Sequence, residues 1–465
     1  MNILHLVYKY AVLCVIITLW WSRGCTGAEL LNLTGVRVWL RLKNSNYISL
    51  VLFIACLSLY LQNNKGKHSF MNIIKRLFLI CSLSLLSVPA VCSEVRVSVL
   101  TCSPGEEVYA LYGHTALRYC DTSKKIDIVF NYGCFDFSTP NFGWRFVLGE
   151  TDYMVGVTHA SRFFPEYALR GSDVVEQVLD LTDEEAQSLF EVLTLNLEPE
   201  NRVYRYRYLD NNCTTKVRDK LLELLAASGD VVYKGDTLSG QTYRDALNFP
   251  ELQHPWYTFG INILLGSDVD EALTLESLQF LPLNYMKVLD GMYIVSADGK
   301  ERKLVRESKV VPALEKKTAE RSNFTPFNAS LLLLLATFIV MLCELRKRKT
   351  FWGIDVLLML VQGLSGALLL FLALFSEHPA VEPNWLILLL NPLALILMPL
   401  YVYRIRKHKS MKIAWVQVAF VVLFVLTALL GLQVYPTPIY FCAAALLVRS
   451  LFHIYKDDIC ELNIV

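Results

Sequence analysis

The residue best suited to chemistry is Cys213, which follows Asp210-Asn211-Asn212 and precedes a stretch, Thr214–Ala227, with helical character. Because Asp and Asn are strong helix N-caps, this pattern predicts that Cys213 lies at a helix N-terminus. Free backbone N–H groups at such an end lower the pKa of a thiol and bind an oxyanion. Arg218, one turn further on, adds positive charge. The predicted chemistry is attack of a thiolate on an acyl carbon, and the alternative is a buried, inert cysteine.

A thiol nucleophile needs a base, and residues 94–325 contain His114, His159 and His254. His114 follows Gly113 at the start of a predicted strand, where the glycine allows close backbone approach. His159 and His254 are predicted in a turn and a loop. We therefore expect His114 to be the base, with a purely structural imidazole as the alternative.

A third polar group usually orients the imidazole of such a pair. Asp127 and Asn131 lie on the next predicted strand and share one face of it, because side chains alternate along a strand. Either side chain fits this role, and either also fits a structural one. The alternating Tyr-Arg segment at 204–208 is interpreted as a solvated amphipathic strand.

Residues 94–325 contain both predicted strands and predicted helices, and these elements must position the candidate residues. Their mixture predicts an α+β domain. The predicted strands are Val95–Leu100, His114–Tyr119, Ile126–Tyr132, Val174–Leu181 and Arg202–Tyr208. The predicted helices are Phe142–Leu148, a capped helix from Thr182 to Leu197, Thr214–Ala227 and a proline-interrupted helix at Ala272–Leu289.

The C-terminal third predicts an all-α transmembrane bundle of five helices, since each apolar run approaches the ~20 residues that cross a bilayer. The runs are Ala329–Leu345, Ile354–Phe375, Trp385–Tyr403, Ile413–Val434 and Ile439–Ile454. Lys and Arg follow the first and third runs but are missing from 376–384 and 435–438. Because basic loops stay in the cytoplasm, residues 94–325 are expected outside it, 326–455 in the membrane and 456–465 in the cytoplasm.

The N-terminal region predicts export. Residues 71–93 have the basic start, apolar centre and small-residue end of a secretory signal peptide. A signal peptide with its own Met71 indicates that residues 1–70 are an extension from a mis-assigned start. The alternative is that the whole chain is made and its early apolar runs, Val7–Trp21 and Ile48–Leu61, span the membrane.

The amino-acid composition of the chain limits the classes of function that we expect. Hydrophobic residues make up 54% of the chain and the net charge is +1, which favours a membrane protein and gives no reason to expect nucleic acid. The 12 cysteines show no CxxC spacing, so neither a metal nor a cofactor is implied. An oxidising compartment favours one disulfide among Cys102, Cys120 and Cys134.

The order of a histidine on a strand followed by Asn-Cys at a helix start resembles the permuted papain-like thiol enzymes of the NlpC/P60 and lecithin:retinol acyltransferase type. A more specific set of motifs resembles the Lnb-type, or Bacteroides-type, lipoprotein N-acyltransferases. The motifs are Tyr112–Arg118, Val129–Phe137, Asp210–Asp219, Ser376–Pro379 and Pro383–Trp385.

This resemblance implies an enzyme of the bacterial inner membrane with a periplasmic catalytic domain. The reaction would move an acyl chain from a phospholipid, through a Cys213 thioester, to the α-amine of a diacylglyceryl-cysteine on an apolipoprotein. Cys213, His114 and Asn131 would be catalytic. Supporting or substrate-binding roles would fall to Tyr112, Asp127, Asn212, Arg218, His378 and Asn384.

Two other functions fit the same residues. The first is a membrane-anchored periplasmic cysteine hydrolase, a cell-wall peptidase or amidase, although five spans are more than an anchor needs. The second is a non-catalytic binding or sensing module, for which replacing Cys213 by serine would leave function intact.

Overall fold

The computed structural model describes residues 95–235, 240–248, 254–315 and 323–461, with side chains as far as residue 456. The predicted signal peptide over 71–93 and the extension before it lie outside these residues. What is described begins with an α+β domain and continues as a bundle of apolar helices, as the sequence predicts.

A seven-stranded antiparallel sheet forms the centre of the α+β domain, with the strand order β10-β5-β1-β2-β3-β4-β6. Its strands are β1 Val95–Cys102, β2 His114–Asp121, β3 Ile126–Cys134, β4 Asp152–His159, β5 Val174–Leu179, β6 Val203–Arg205 and β10 Val305–Val311. A smaller antiparallel sheet consists of β7 Asp230–Tyr233, β8 Met292–Val295 and β9 Glu301–Lys303.

Helices cover both faces of the large sheet. The helices of the domain are α1 Phe142–Leu148, α2 Ala160–Arg170, α3 Asp183–Leu195, α4 Cys213–Leu225, α5 Tyr243–Leu247, α6 Pro255–Leu264, α7 Leu275–Leu278 and α8 Pro282–Asp290. Alternate residues of β1–β3 pack against α3, α4 and α8 on one face, and the intervening residues pack against α2 on the other. The sheet therefore separates two apolar cores. The polar residues at the ends of its strands are available to form a site.

Several predicted elements agree closely with the structure. Helix α1 has the predicted bounds, and Thr182 caps α3 with the expected capping box. The predicted strand over 202–208 is wrong beyond Arg205, and the predicted helix over 272–289 is divided into α7 and α8. The division has a clear cause, because Pro282 fixes a new helix start after the extended residue Leu281.

The bundle contains α9 Pro326–Lys347, α10 Trp352–Phe375, α11 Leu393–Arg406, α12 Ala414–Leu429 and α13 Thr437–Glu461. In the described chain, four segments are long and apolar enough to cross a membrane: Pro326–Lys347, Trp352–Phe375, Trp385–Arg406 and Thr437–Lys456. The remaining apolar run forms α12, a helix of 16 residues. The number of crossings and their orientation stay predictions.

The α+β domain packs directly on the 376–384 loop that follows α10. The backbone N–H of Glu377 donates to the carbonyl of Leu148 at 2.8 Å, and the hydroxyl of Ser376 donates to that of Val147 at 3.1 Å. Arg205 forms an ion pair with Glu377 at 2.5 Å. Helix α1 is therefore attached to the end of an apolar helix of the bundle.

Candidate active site

Cys213 is the first residue of α4, and its side chain is buried, with the residue 8% exposed. The Oδ1 of Asn212 accepts hydrogen bonds from the amides of Thr214 and Thr215 at 2.8 and 3.0 Å, which caps the helix. The Nδ2 of Asn212 donates to the carbonyls of Tyr208 and Phe280. Asn212 therefore fixes the helix start that holds the thiol, as its predicted capping position implies.

His114 lies beside this thiol. It begins β2, and its Nε2 is 3.1 Å from the Oδ1 of Asn131 on β3. The imidazole also forms a hydrogen bond with Cys213. Since Asn131 accepts from Nε2, the other ring nitrogen, Nδ1, is the one available to the thiol. The structure thus brings together Cys213, His114 and Asn131 in the order that a thiol, a base and an orienting group require.

The electrostatics of the pair favour the thiolate. Burial alone raises the pKa of the Cys213 thiol, but the neighbouring His114 charge, its hydrogen bond and the amide of Thr115 reverse this effect and lower the pKa to about 7. Burial also lowers the pKa of His114, yet the charge of Cys213 and the hydrogen bonds with Cys213 and Asn131 together outweigh it, and the pKa is raised. Each partner therefore stabilises the charged form of the other.

Two neighbours of the thiol were not identified from the sequence. The hydroxyl of Tyr206 forms a hydrogen bond with Cys213, which corrects the interpretation of residues 204–208 as a solvated strand. Gly133 has φ +87°, and a Cβ added there would lie 3.2 Å from Tyr206 and 3.6 Å from the Cβ of Cys213. An isolated glycine inside a strand is a signal of close approach, and it was available in the sequence.

Asp127 and Arg218 lie apart from the thiol–imidazole pair. Asp127 shares a face of β3 with Asn131, but both of its carboxylate oxygens accept hydrogen bonds from Arg118. Arg218 donates to the carboxylate of Asp219 at 2.8 Å and to the carbonyl of Glu276 at 2.9 Å. Both residues therefore stabilise the framework, and Asn131 rather than Asp127 contacts the imidazole.

Tyr112, His378 and Asn384 each contact a backbone carbonyl of the α+β domain. The hydroxyl of Tyr112 donates to the carbonyl of Leu247 at 3.0 Å. His378 Nε2 lies 2.7 Å from the carbonyl of Phe146, and Asn384 donates to the carbonyl of Ile263 at 2.9 Å. The last two contacts join the loop between apolar helices to the α+β domain.

The predicted disulfide among Cys102, Cys120 and Cys134 is wrong, since all three are free thiols. The register of the sheet explains this. Cys102 pairs with His114 and Cys120 with Arg96, so six positions separate the first two cysteines along β1, about 20 Å at ~3.4 Å per residue. Cys134 is two strands away from Cys102, about 9–10 Å, beyond the span of a disulfide.

A mixed domain with a buried thiol beside an imidazole, packed on apolar helices, defines a membrane-anchored protein with a candidate thiol site. The family model described as the Lnb N-terminal periplasmic domain matches residues 91–247, and the Lnb transmembrane domain matches residues 317–458. Together they cover more than half of the chain, which belongs to the Lnb family of lipoprotein N-acyltransferases. No curated protein and no solved structure matches the chain.

Proposed function

We propose that this protein transfers an acyl chain from a phospholipid to the α-amine of a diacylglyceryl-cysteine through a thioester on Cys213. The observation that carries the proposal is the hydrogen-bonded line Cys213–His114–Asn131, with a buried thiol, in a domain attached to apolar helices. A thiol with its pKa near 7 is a competent nucleophile at neutral pH.

In the first half-reaction, the thiolate of Cys213 attacks the ester carbonyl carbon of the phospholipid. The C–S bond forms, the ester C–O bond breaks, and the lysophospholipid leaves as an alcohol with the proton that His114 held. We assign stabilisation of the oxyanion to the backbone N–H of Cys213 and the hydroxyl of Tyr206.

In the second half-reaction, the α-amine of the lipoprotein attacks the thioester carbonyl. The amide C–N bond forms, the C–S bond breaks, and His114 takes the proton from the amine. This step restores the thiolate and the protonated imidazole. The role of Asn131 is to accept from Nε2, so that Nδ1 stays directed at the thiol.

The experiment expresses wild type, Cys213→Ala and Cys120→Ala in bacteria that lack their own lipoprotein N-acyltransferase. Mass spectrometry then reads the lipid state of one lipoprotein N-terminus. We expect triacyl product with wild type and with Cys120→Ala, whose thiol is on β2 near its end distant from His114. We expect only diacyl product with Cys213→Ala.

Diacyl lipoprotein with well-expressed wild type would refute acyl transfer. Peptidoglycan fragments that depend on Cys213 would then indicate the cell-wall hydrolase instead. Triacyl product with Cys213→Ala would refute the thioester while leaving the acyl transfer itself intact.

A further inference from the structure

The segment that connects β3 to α1, together with α1 itself, exposes an unusual number of aromatic rings. Within this aromatic segment, residues 135–148, Phe137 is 67% exposed, Trp144 57% and Phe146 50%. Rings this large are rarely left together in water on a soluble domain. Because these rings are exposed, we expect an apolar environment to surround them.

Arg145 and the charged side chains beside the aromatic segment are paired with one another, and the carboxylate of Asp136 accepts hydrogen bonds from Ser138. Arg145 forms an ion pair with Asp152 at 2.7 Å, and Arg205 forms ion pairs with Asp152 at 2.9 Å and Glu377 at 2.5 Å. The ring of Phe146 contacts the imidazole of His378, and the rings of Phe137 and Trp144 contact other aromatic rings. A band of ion pairs next to exposed aromatic rings is the arrangement expected at a membrane surface.

The contact between the aromatic segment and α10 indicates the level of the segment relative to the bilayer. The ring of Trp144 is 5.3 Å from that of Phe371, about one turn before α10 ends at Phe375. Helix α10 has 24 residues, about 36 Å at ~1.5 Å per residue, which slightly exceeds the ~30 Å hydrocarbon core. Its end therefore lies at the bilayer surface, and Trp144 lies at the same level.

A continuous line of rings runs from the aromatic segment to the thiol. Tyr206, which forms a hydrogen bond with Cys213, has its ring 4.6 Å from that of Tyr153, and Tyr153 is 5.0 Å from Phe135. Phe135 is 4.8 Å from Phe137 and 5.9 Å from the first residue of α1, Phe142. Packed aromatic rings thus connect the exposed aromatic segment to the nucleophile, and Tyr153 within this line is buried.

We infer that the aromatic segment enters the outer leaflet of the bilayer and forms the route along which a lipid acyl chain reaches Cys213. The insertion follows from exposure and position, its placement in the outer leaflet follows from the predicted orientation of the helices, and the passage of an acyl chain rests on the proposed function. An acyl chain that moves along rings stays out of water, so its transfer to the domain costs little hydrophobic free energy.

The first test replaces Trp144 with the photoreactive residue p-benzoylphenylalanine in the full-length protein, reconstituted in vesicles of phosphatidylethanolamine and phosphatidylglycerol. Val232 is the matched control, because it is apolar, 38% exposed and on β7, beyond the end of α4 opposite to Cys213. After illumination, mass spectrometry should find a phospholipid adduct at 144 and none at 232. No adduct at 144 would overturn the insertion.

The second test measures acyl transfer from the same vesicles with the double variant Trp144→Ser, Phe137→Ser and with Val232→Ser. We expect the double variant to lose activity about tenfold or more, because apolar contact with the lipid is removed. Alkylation of Cys213 by iodoacetamide, which needs no lipid, should be unchanged. Normal transfer by the double variant would overturn the route.

The two proposals fail in different ways. If wild type shows no acyl transfer, the proposed function fails, and the adduct at position 144 still decides whether the segment is inserted. If wild type transfers acyl chains and position 144 gives no adduct, only the inference about the aromatic segment fails. Loss of both transfer and alkylation in the double variant would mean that it damages the site itself, which contradicts a role confined to the route.

Discussion

Cys213 differs from the other thiols of its domain because of its neighbours. Burial raises the pKa of Cys102 and of Cys134, and both are expected to stay protonated at neutral pH. Cys213 is also buried, yet the charge and hydrogen bond of His114 lower its pKa. The lowered pKa of the Cys213 thiol therefore depends mainly on the neighbouring imidazole, which opposes the effect of burial.

The rate at which iodoacetamide alkylates Cys213 should depend on pH with a midpoint near the thiol pKa of about 7. Below that pH the thiol is protonated and slow, and above it the reactive thiolate dominates. In His114→Ala, burial is opposed only by the hydrogen bonds from Thr115 and Thr214, and the midpoint should move to higher pH than in wild type. Mass spectrometry of the Cys213 peptide at pH values from about 5 to 10 measures both profiles.

Asn131→Ala provides the matched comparison, since it keeps the imidazole and removes only its orienting group. Its midpoint should fall between those of wild type and His114→Ala. Identical profiles for wild type and His114→Ala would contradict the thiolate–imidazolium pair.

Part of this site could be predicted because it depends on local sequence. The polar residues before Cys213 specify a helix cap, and strand alternation places Asn131 and Asp127 on one face. The choice between those two could not be made, because it depends on how β2 and β3 align and on Arg118 binding Asp127. The proximity of Tyr206 likewise arises from pairing between distant segments.

At the level of elements, the start of α4 connects stability to chemistry. Asn212→Ala removes the cap and leaves the carbonyl of Phe280 without its donor, so we expect a loss of about 0.5–2 kcal/mol in the free energy of unfolding. The displaced helix start should also slow alkylation of Cys213. Chemical denaturation and the alkylation rate measure the two effects.

Thr182→Ala is the matched control for this variant, because Thr182 caps α3 with an equivalent capping box. It should lose similar stability while the alkylation rate stays at the wild-type value. Equal alkylation rates in Asn212→Ala and Thr182→Ala would show that the cap serves stability alone.

The elements that the sequence predicted are those with a strong local signal. Strands β1–β3 alternate clearly, and α3 begins with a capping box. Strand β4 was missed because Gly156 weakens its pattern, and α2 because Pro165 lies inside it. Both form because the sheet and its core supply contacts that propensity alone does not indicate.

At the scale of the whole molecule, the attachment of α1 to the bundle depends on Gly149. Its φ is +80°, and a Cβ there would lie 2.9 Å from the backbone nitrogen of His378. Gly149→Ala should therefore separate the two backbones and raise hydrogen exchange at the amide of Glu377. Gly143→Ala on the same helix meets nothing within 4 Å and should leave this exchange unchanged. Equal exchange in both variants would contradict the role of this contact.

Within the bundle, Arg449 joins three helices through buried ion pairs. Its guanidinium binds Glu344 of α9 at 2.6 Å and Asp355 of α10 at 2.8 Å, and His453 also contacts Asp355. Because the charges are withdrawn from water, each of them needs an opposite charge as its partner. Arg449→Met leaves both carboxylates without their shared cation, and we expect it to cost about 3–5 kcal/mol of stability.

Thermal unfolding in detergent, followed by circular dichroism, measures this loss. Arg346→Met removes an exposed cation from the end of α9 and should change little. The triple variant Arg449→Met, Glu344→Gln, Asp355→Asn removes the charges together and should recover much of the stability, since no unpaired ion remains buried. If the triple variant were no more stable than Arg449→Met, the loss would come from packing around the arginine rather than from unpaired charge. Recovery would instead mean that charge balance among α9, α10 and α13 holds the bundle to which the α+β domain is attached.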